Sequence, residues 1–337
     1  LFKLAARWRS YLYKKIYVLK FEEMGIISGY KSAWVILDTY LGLKQDETVL
    51  IVTDTLKLKI AKSLFDTAQE MGHEAIMMTM PPRSRHGEEP PKAIAEAMKM
   101  VDVVIAPTTM SITHTKARKE ANEVGVRTAT MPDITEQMMI DGGLMANPKD
   151  VLTFTKEMAD NVKEAHEVRI TSGLGTDMTF EVDGSKWELD VGCCTKRGCS
   201  TNLPAGEVYI APENSNGVVV VDGSMSGLAL LKHPMKIRVK DNYAVDISGE
   251  RAAEVLKTID PLGENARNIA ELGIGTNPTA KIIGNVLEDE KVMGTAHIAL
   301  GDNSTFGGHV VAGIHIDGII RKPKLFVDGI EIDLHKH

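Results

Sequence analysis

Imidazoles and carboxylates are concentrated on short apolar segments late in the chain, between Glu271 and Asp317. His297, His309 and His315 fall there among several acids and a high density of glycine. In GIHIDGII, strand alternation puts His315 and Asp317 on one face and Ile314 and Ile316 on the other. In TAHIALG it puts His297 with Thr295 and Ala299, opposite Ala296, Ile298 and Leu300. Imidazole and carboxylate two residues apart on a rigid element suit Zn, Mn, Fe or Co better than Ca or Mg. A lone HxD also fits a surface pair or a hydrogen-bonded core histidine, so the neighbouring acids decide its meaning. Glu207, in TNLPAGEVYIAPEN, shares a strand face with Tyr209, and Glu271 interrupts the apolar run NIAELGIGTNP. A carboxylate in such a strand is costly unless paired or metal-bound. A salt bridge accounts for any one of these residues; a shared cation accounts for Glu207, Glu271, His297, His315 and Asp317 together.

The elements that must position them fall into two patterns. From Tyr30 an amphipathic helix and a Gly-Leu-Lys break lead to a β-branched strand ending in Thr53 and Asp54. Strand and helix then alternate through VRTATMP, which predicts a parallel sheet with crossover helices, a Rossmann-like α/β domain over residues 30–150. No GxGxxG follows the first strand, so no dinucleotide is inferred. The segment TTMSITHTKAR, residues 108–118, leaves the carboxyl end of a parallel strand, the edge where open α/β sheets place ligands. His114 there can bind substrate or move a proton; the alternative is a helix cap made by Ser111 or Thr113 beside a solvated His114. After a helix at about 147–164 the pattern changes to hairpins, and residues 151–337 read as an α+β, mostly antiparallel domain with one clear helix at RAAEVLKTI.

The 337 residues are enough for two domains, and 43% hydrophobic with 25% charged residues is ordinary globular composition. A net charge of -7 argues against a general polyanion binder, which leaves a small molecule or peptide as substrate. No apolar run spans a membrane, so a soluble, cytoplasmic protein is expected. Cys193, Cys194 and Cys199 are odd in number and lie in one short segment. They do not form a secreted disulfide framework and lack the second ligand pair of a zinc cluster, so a reducing compartment is expected. The first 29 residues, basic and aromatic and without an initial methionine, read as a membrane-surface helix, a transit peptide or a helix against a partner subunit.

Taken in order, SITHTKAR, ATMP, TNLPAGEVYIAPEN, AELGIGTNP, EDEKVMGTAHIALGDN, FGG and HID resemble the aminopeptidase T and aminopeptidase S family of metallopeptidases over most of the chain after about residue 30. The resemblance implies an α/β domain followed by a domain bearing two divalent metals (Zn, Co, Mn or Fe), in a homodimer that encloses the active sites. Carried over by position, Glu207, Glu271, His297, His315 and Asp317 would be metal ligands, with Glu271 bridging. Glu290 is a weaker match, since the family's acid lies nearer the histidine. The family's tyrosine seven residues beyond that histidine is Ser304 here, and this chain is shorter than those enzymes. A related branch, 2,5-dihydroxypyridine dioxygenase, uses one Fe(II) with two histidines and an aspartate. Its HxD matches His315 and Asp317 and its pocket histidine matches His114, but its other iron histidine falls at Glu271 and it has no counterpart of Glu207. The expected function is therefore an aminopeptidase-like metallohydrolase of small peptides or amides, with Glu271 and His114 as catalytic residues. The alternatives are an Fe(II) ring-cleaving dioxygenase and a metal-stabilised binding protein without turnover.

Overall fold

The computed structural model describes residues 27–335, so the basic N-terminal stretch lies almost wholly outside the described residues. The first half alternates as its periodicity requires: α1 (Ile27–Val35, continued as a π turn through Tyr40), β1 (Thr48–Asp54), α2 (Leu58–Glu70), β2 (Glu74–Met80), α3 (Lys92–Met98), β3 (Val103–Thr108), α4 (Lys116–Glu123), β4 (Arg127–Pro132), α5 (Glu136–Ile140) and α6 (Pro148–Val162). Helix α2 forms because Ile60, Ala61, Leu64 and Ala68 recur at helical spacing and bury one stripe. Helix α6 starts where the Asn147 side chain accepts a hydrogen bond from Lys149 N at 3.1 Å and Pro148 takes the first turn. The four strands pair in parallel in the order β2-β1-β3-β4. Apolar clusters cover both faces of the sheet, as a parallel sheet with crossover helices needs.

The second half supplies β5 (Glu167–Thr171), β6 (Asp177–Glu181), β7 (Glu188–Asp190), β8 (Ser200–Asn202), β9 (Glu207–Ile210), β10 (Asn214–Val221), β11 (Ser224–Met225), β12 (Ala229–Leu230), β13 (Met235–Lys240), β14 (Tyr243–Gly249), α7 (Ala252–Ile259), β15 (Ile269–Gly275), α8 (Val286–Asp289), β16 (Ala296–Gly301), β17 (His315–Ile320), β18 (Lys324–Val327) and β19 (Ile330–Ile332). Two seven-stranded sheets result, ordered β14-β13-β10-β6-β5-β18-β19 and β12-β11-β17-β16-β15-β9-β7. Their apolar faces share one core, in which Val208, Leu272, Ile298 and Ile316 meet Val168, Phe180, Val219 and Ile237. The second sheet therefore has its other face to spend on chemistry.

Two features lie outside the pattern read from the sequence. β8, from the second half, returns to the first layer and pairs in parallel with β4, through Ala129↔Thr201 and its neighbours. Short as it is, this strand ties the two halves together. The cysteines are also not all free, since Cys194 and Cys199 form a disulfide and only Cys193 remains a thiol. The turn in which Cys199 N donates to Lys196 O brings the two Cα atoms to 5.5 Å, within bonding range.

Arg127, at the start of β4, is 2% exposed and donates to both carboxylate oxygens of Glu47, at 2.9 and 2.6 Å. Burial pushes the Glu47 carboxyl up, but the Arg127 hydrogen bond, a backbone bond from Lys44 and the charges of both hold it below its ordinary value. Replacing Glu47 with Gln leaves a buried guanidinium uncompensated and should cost about 3 kcal/mol. A carboxyl held low in the folded state contributes its stability above the unfolded pKa, roughly 4.3, and loses it as pH falls toward the folded value. Thermal unfolding should thus separate wild type from Glu47→Gln fully at neutral pH, and the gap should narrow below about pH 4.

Candidate metal centre

Glu207, Glu271, His297 and the pair His315/Asp317 lie on the adjacent strands β9, β15, β16 and β17. Antiparallel register fixes which side chains meet. Glu271 pairs with Ala299, which pairs with Asp317; Tyr209 pairs with Gly273, which pairs with His297; and His315 pairs with Gly301. Each ligand candidate on the three central strands has alanine or glycine as a same-face neighbour, which leaves the long polar side chains room to converge. Gly273 shows the constraint most sharply. A Cβ there would stand 2.1 Å from His297 Nε2, so only hydrogen fits beneath the imidazole.

The side chains gather into overlapping groups. Glu207, Glu271 and His297 form one, Glu271, His315 and Asp317 a second, and Glu290, His297 and Asp317 a third, with donor atoms within 4.8 Å of one another in each. Glu271 faces two ways: Oε1 lies 3.1 Å from His297 Nε2 and Oε2 lies 3.4 Å from His315 Nε2. His315 Nε2 is also 3.2 Å from Asp317 Oδ1, while its Nδ1 contacts the carbonyl of Asp302 at 2.9 Å. A neutral His315 therefore carries its proton on Nδ1 and presents the Nε2 lone pair to the cluster. Asp317 is held by Ser226, whose Oγ accepts from Asp317 N at 3.0 Å.

Lys291, absent from the sequence reading although it adjoins Glu290 in EDEKVMG, is 1% exposed and makes ion pairs with Glu207 and, at 2.7 Å, with Glu290. Burial alone would lower this ammonium, but Glu207, Glu290 and Asp190 keep it charged. One lysine does not balance four carboxylates. Burial, only partly offset by Lys291, raises Glu207 to about 8, with the charges of Glu290 and Glu271 adding to the rise. Against its own burial, His297 is raised to about 9 by its bond to Glu271 and by the charges of Glu207, Glu271 and Glu290. Against its burial, His315 is likewise raised by Asp317 and Glu271. Burial works against an ionised Glu271 too, yet the two imidazoles hold it far below the carboxylate range. Glu207 Oε2 is buried without a hydrogen-bond partner, 3.4 Å from His297 Nε2 but outside bonding geometry. Borderline donors, an orphaned buried oxygen and an excess of negative charge are what divalent cations satisfy, so these residues fit a metal centre.

The cluster forms one wall of a cavity of about 960 Å³ that opens over the carboxyl ends of the parallel strands. His114 faces it from the other half. Its ring lies 6.3 Å from that of His315 and its Nδ1 is 3.1 Å from Thr305 Oγ1. Desolvation, followed by the charges of His315 and Arg118, lowers His114 to about 4, so it is a neutral imidazole at pH 7. Neither Ser111 nor Thr113 caps the following helix. Thr115 does, accepting from Arg118 N at 3.3 Å, while Thr113 bonds Ser111, Thr130 and Asn202. Ser304 lines the cavity and donates to Asp302, whereas His309 is exposed and outside the cavity lining. Phe306 packs edge-on against both Tyr209 and His315, an apolar support that periodicity did not flag.

The family model described as NicX, 2,5-dihydroxypyridine 5,6-dioxygenase, matches residues 39–334. Aminopeptidase T of Thermus aquaticus is 29% identical over 193 residues, half of this chain and 46% of that protein. Aminopeptidase T of Thermus thermophilus is 28% identical over 51% of this chain and 47% of its own length. The chain thus spans about half the length of the curated relatives it matches. Among solved structures, 2,5-dihydroxypyridine dioxygenase from Pseudomonas putida KT2440 superposes with a TM-score of 0.76 at 14% identity, covering 90% of this chain and 94% of its own. AmpT from Thermus thermophilus gives a TM-score of 0.61 at 15% identity, covering 93% and 97%. At those identities the likeness is one of fold.

The glycine constraint can be checked directly. Gly273→Ala should displace the His297 ring and weaken metal binding by about 10- to 100-fold, the range seen when a ligand's support is removed. Metal titration beside a thermal melt separates this from global unfolding.

Proposed function

The chain belongs to the 2,5-dihydroxypyridine 5,6-dioxygenase (NicX) family of enzymes, and within it we propose a metal-dependent, aminopeptidase-like hydrolase acting on small peptides or related amides. The observation that carries this reading is Glu271, whose two carboxylate oxygens face two imidazoles belonging to two different ligand groups. A carboxylate so placed suits a pair of cations, which an imidazole at the same position would not bridge. Glu207 and His297 would complete one half, and His315 and Asp317 the other, with Glu290 grouped with His297 of the first and Asp317 of the second. Divalent cations held there would polarise a carbonyl and lower the pKa of bound water toward neutrality.

The chain's own residues supply the rest. Asp302 and Ser226 orient His315 and Asp317. Lys291 contacts both Glu207 and Glu290 and holds the two carboxyl groups in place. His114, neutral and across the cavity, can accept or donate a proton at the substrate without competing for metal. The curated aminopeptidase T relatives support hydrolysis. A homodimer, measurable by light scattering, is part of the reading. The second reading, a ring-opening dioxygenase with one Fe(II), draws on the family match and on the fold likeness to that enzyme.

Metal content and oxygen demand separate the two. Protein purified without added metal is expected to bind about two divalent ions per chain, with Glu271→His lowering this toward one. Release of amino acids from di- and tripeptides should proceed without oxygen. A single iron per chain, no peptide cleavage and O2 uptake with dihydroxypyridine would overturn the hydrolase reading. His114→Ala should keep its metal and its melting temperature while losing about 100-fold in turnover; wild-type rates would remove it from the chemistry.

A further inference from the structure

The cavity is divided by charge. Its sheet wall carries the acids of the metal centre together with Glu188, Asp190 and Asp302. The opposite wall, built on loops at the ends of parallel strands and on the first turn of α4, carries Arg85, His86, His114, Arg118 and Lys119. Asp133 is the acid on that side, and Lys57 pairs with it at 2.9 Å.

Arg118 stands apart within this wall. Arg83 and Arg267 are half-buried as Arg118 is, Arg127 is buried more deeply, and each of the three holds a carboxylate. Arg118 holds none among the described residues. Its Nε donates to Thr113 O at 2.6 Å and its Nη1 to Asn122 Oδ1 at 2.9 Å. These two bonds fix the guanidinium plane, leaving Nη2 and the second Nη1 hydrogen without an acceptor among the described residues, on a residue that lines the cavity. That free edge is the two-pronged donor that matches a carboxylate. His86 lines the same cavity: its Nδ1 accepts from Ser111 N at 3.1 Å, so a neutral ring carries its hydrogen on Nε2. Holding a half-buried guanidinium without a counter-ion is unfavourable unless an anion arrives.

We infer that Arg118 anchors a carboxylate of the substrate, so that the cavity takes compact molecules with a polar reacting group at the acidic wall and a free carboxylate at the basic wall. The carboxylate anchor stands on the geometry alone. The substrate class it implies, dipeptides and amides of comparable size with a free C-terminal carboxylate, rests on the hydrolase reading.

The test is calorimetric titration of the full chain, carrying its metal, with 3-phenylpropionate and its neutral counterpart 3-phenylpropanamide. The acid should bind about 10-fold or more tightly than the amide, as charge-assisted bonds allow. Arg118→Gln should abolish that preference with metal content unchanged, and Arg118→Lys, which keeps the charge but not the planar fork, should retain part of it. An acid preference that survives intact in both variants would mean that the carboxylate goes to the metal, and equal binding of both probes by wild type would mean that there is no anchor; either result overturns the inference. Neither readout needs turnover, so a protein that prefers the acid through Arg118 yet cleaves no peptide refutes the hydrolase reading and leaves the anchor standing.

Discussion

Four buried carboxylates and two imidazoles converge on one face of one sheet, and that concentration of negative charge has to be met by positive charge drawn to the same place. Lys291 is the part of the answer built into the chain, reaching Glu207 and Glu290 from below the cluster. It is too little by itself, and the upward shifts of His297 and His315 register the remaining demand. Divalent cations meet that demand better than protons, because they also use the imidazole lone pairs that protonation would consume.

The rest of the fold serves this constraint. The two antiparallel sheets bury their apolar faces against each other, which makes the far face of the second sheet available for polar side chains without loss of core. Along that face, Gly273, Ala299 and Gly301 separate the ligand candidates, since bulk at those positions would keep the donor atoms apart. The parallel sheet then stands opposite, joined through β8, and its strand ends supply His114 and the cationic wall. An acidic wall facing a basic one gives the cavity an electrical direction, so a bound molecule is oriented before any chemistry begins.

Much of this was legible in the residues. Alternating strands and helices after Thr48 required a parallel sheet, and period-two runs with Asp-Gly and Ser-Gly turns required antiparallel ones. The HxD pair and the carboxylates at 207 and 271 were visible because charge on an apolar strand conflicts with the ordinary hydrophobic pattern. Such conflict is a local property, readable without knowing what lies across the sheet. The TTMSITHTKAR segment is legible for the same kind of reason, its place at the end of a parallel strand.

Other features depended on contacts between residues far apart in the chain. Nothing in EDEKVMG distinguishes a buried lysine from a solvated one; only the packing of that loop beneath β9 puts Lys291 against Glu207, 84 residues earlier. Arg118 reads as one more charge on a polar helix until its hydrogen bonds and its missing carboxylate are known. The Cys194–Cys199 pairing turns on a backbone turn that composition does not encode, and the return of β8 to the parallel sheet on a three-residue strand too short for periodicity to mark. The sequence by itself determined which residues could bind metal and on which strand faces they would stand, because side-chain alternation is a property of the local backbone. Tertiary structure alone decided that those faces are adjacent, that a lysine shares their charge, and that a basic wall confronts them, because register and packing are set by long-range contacts.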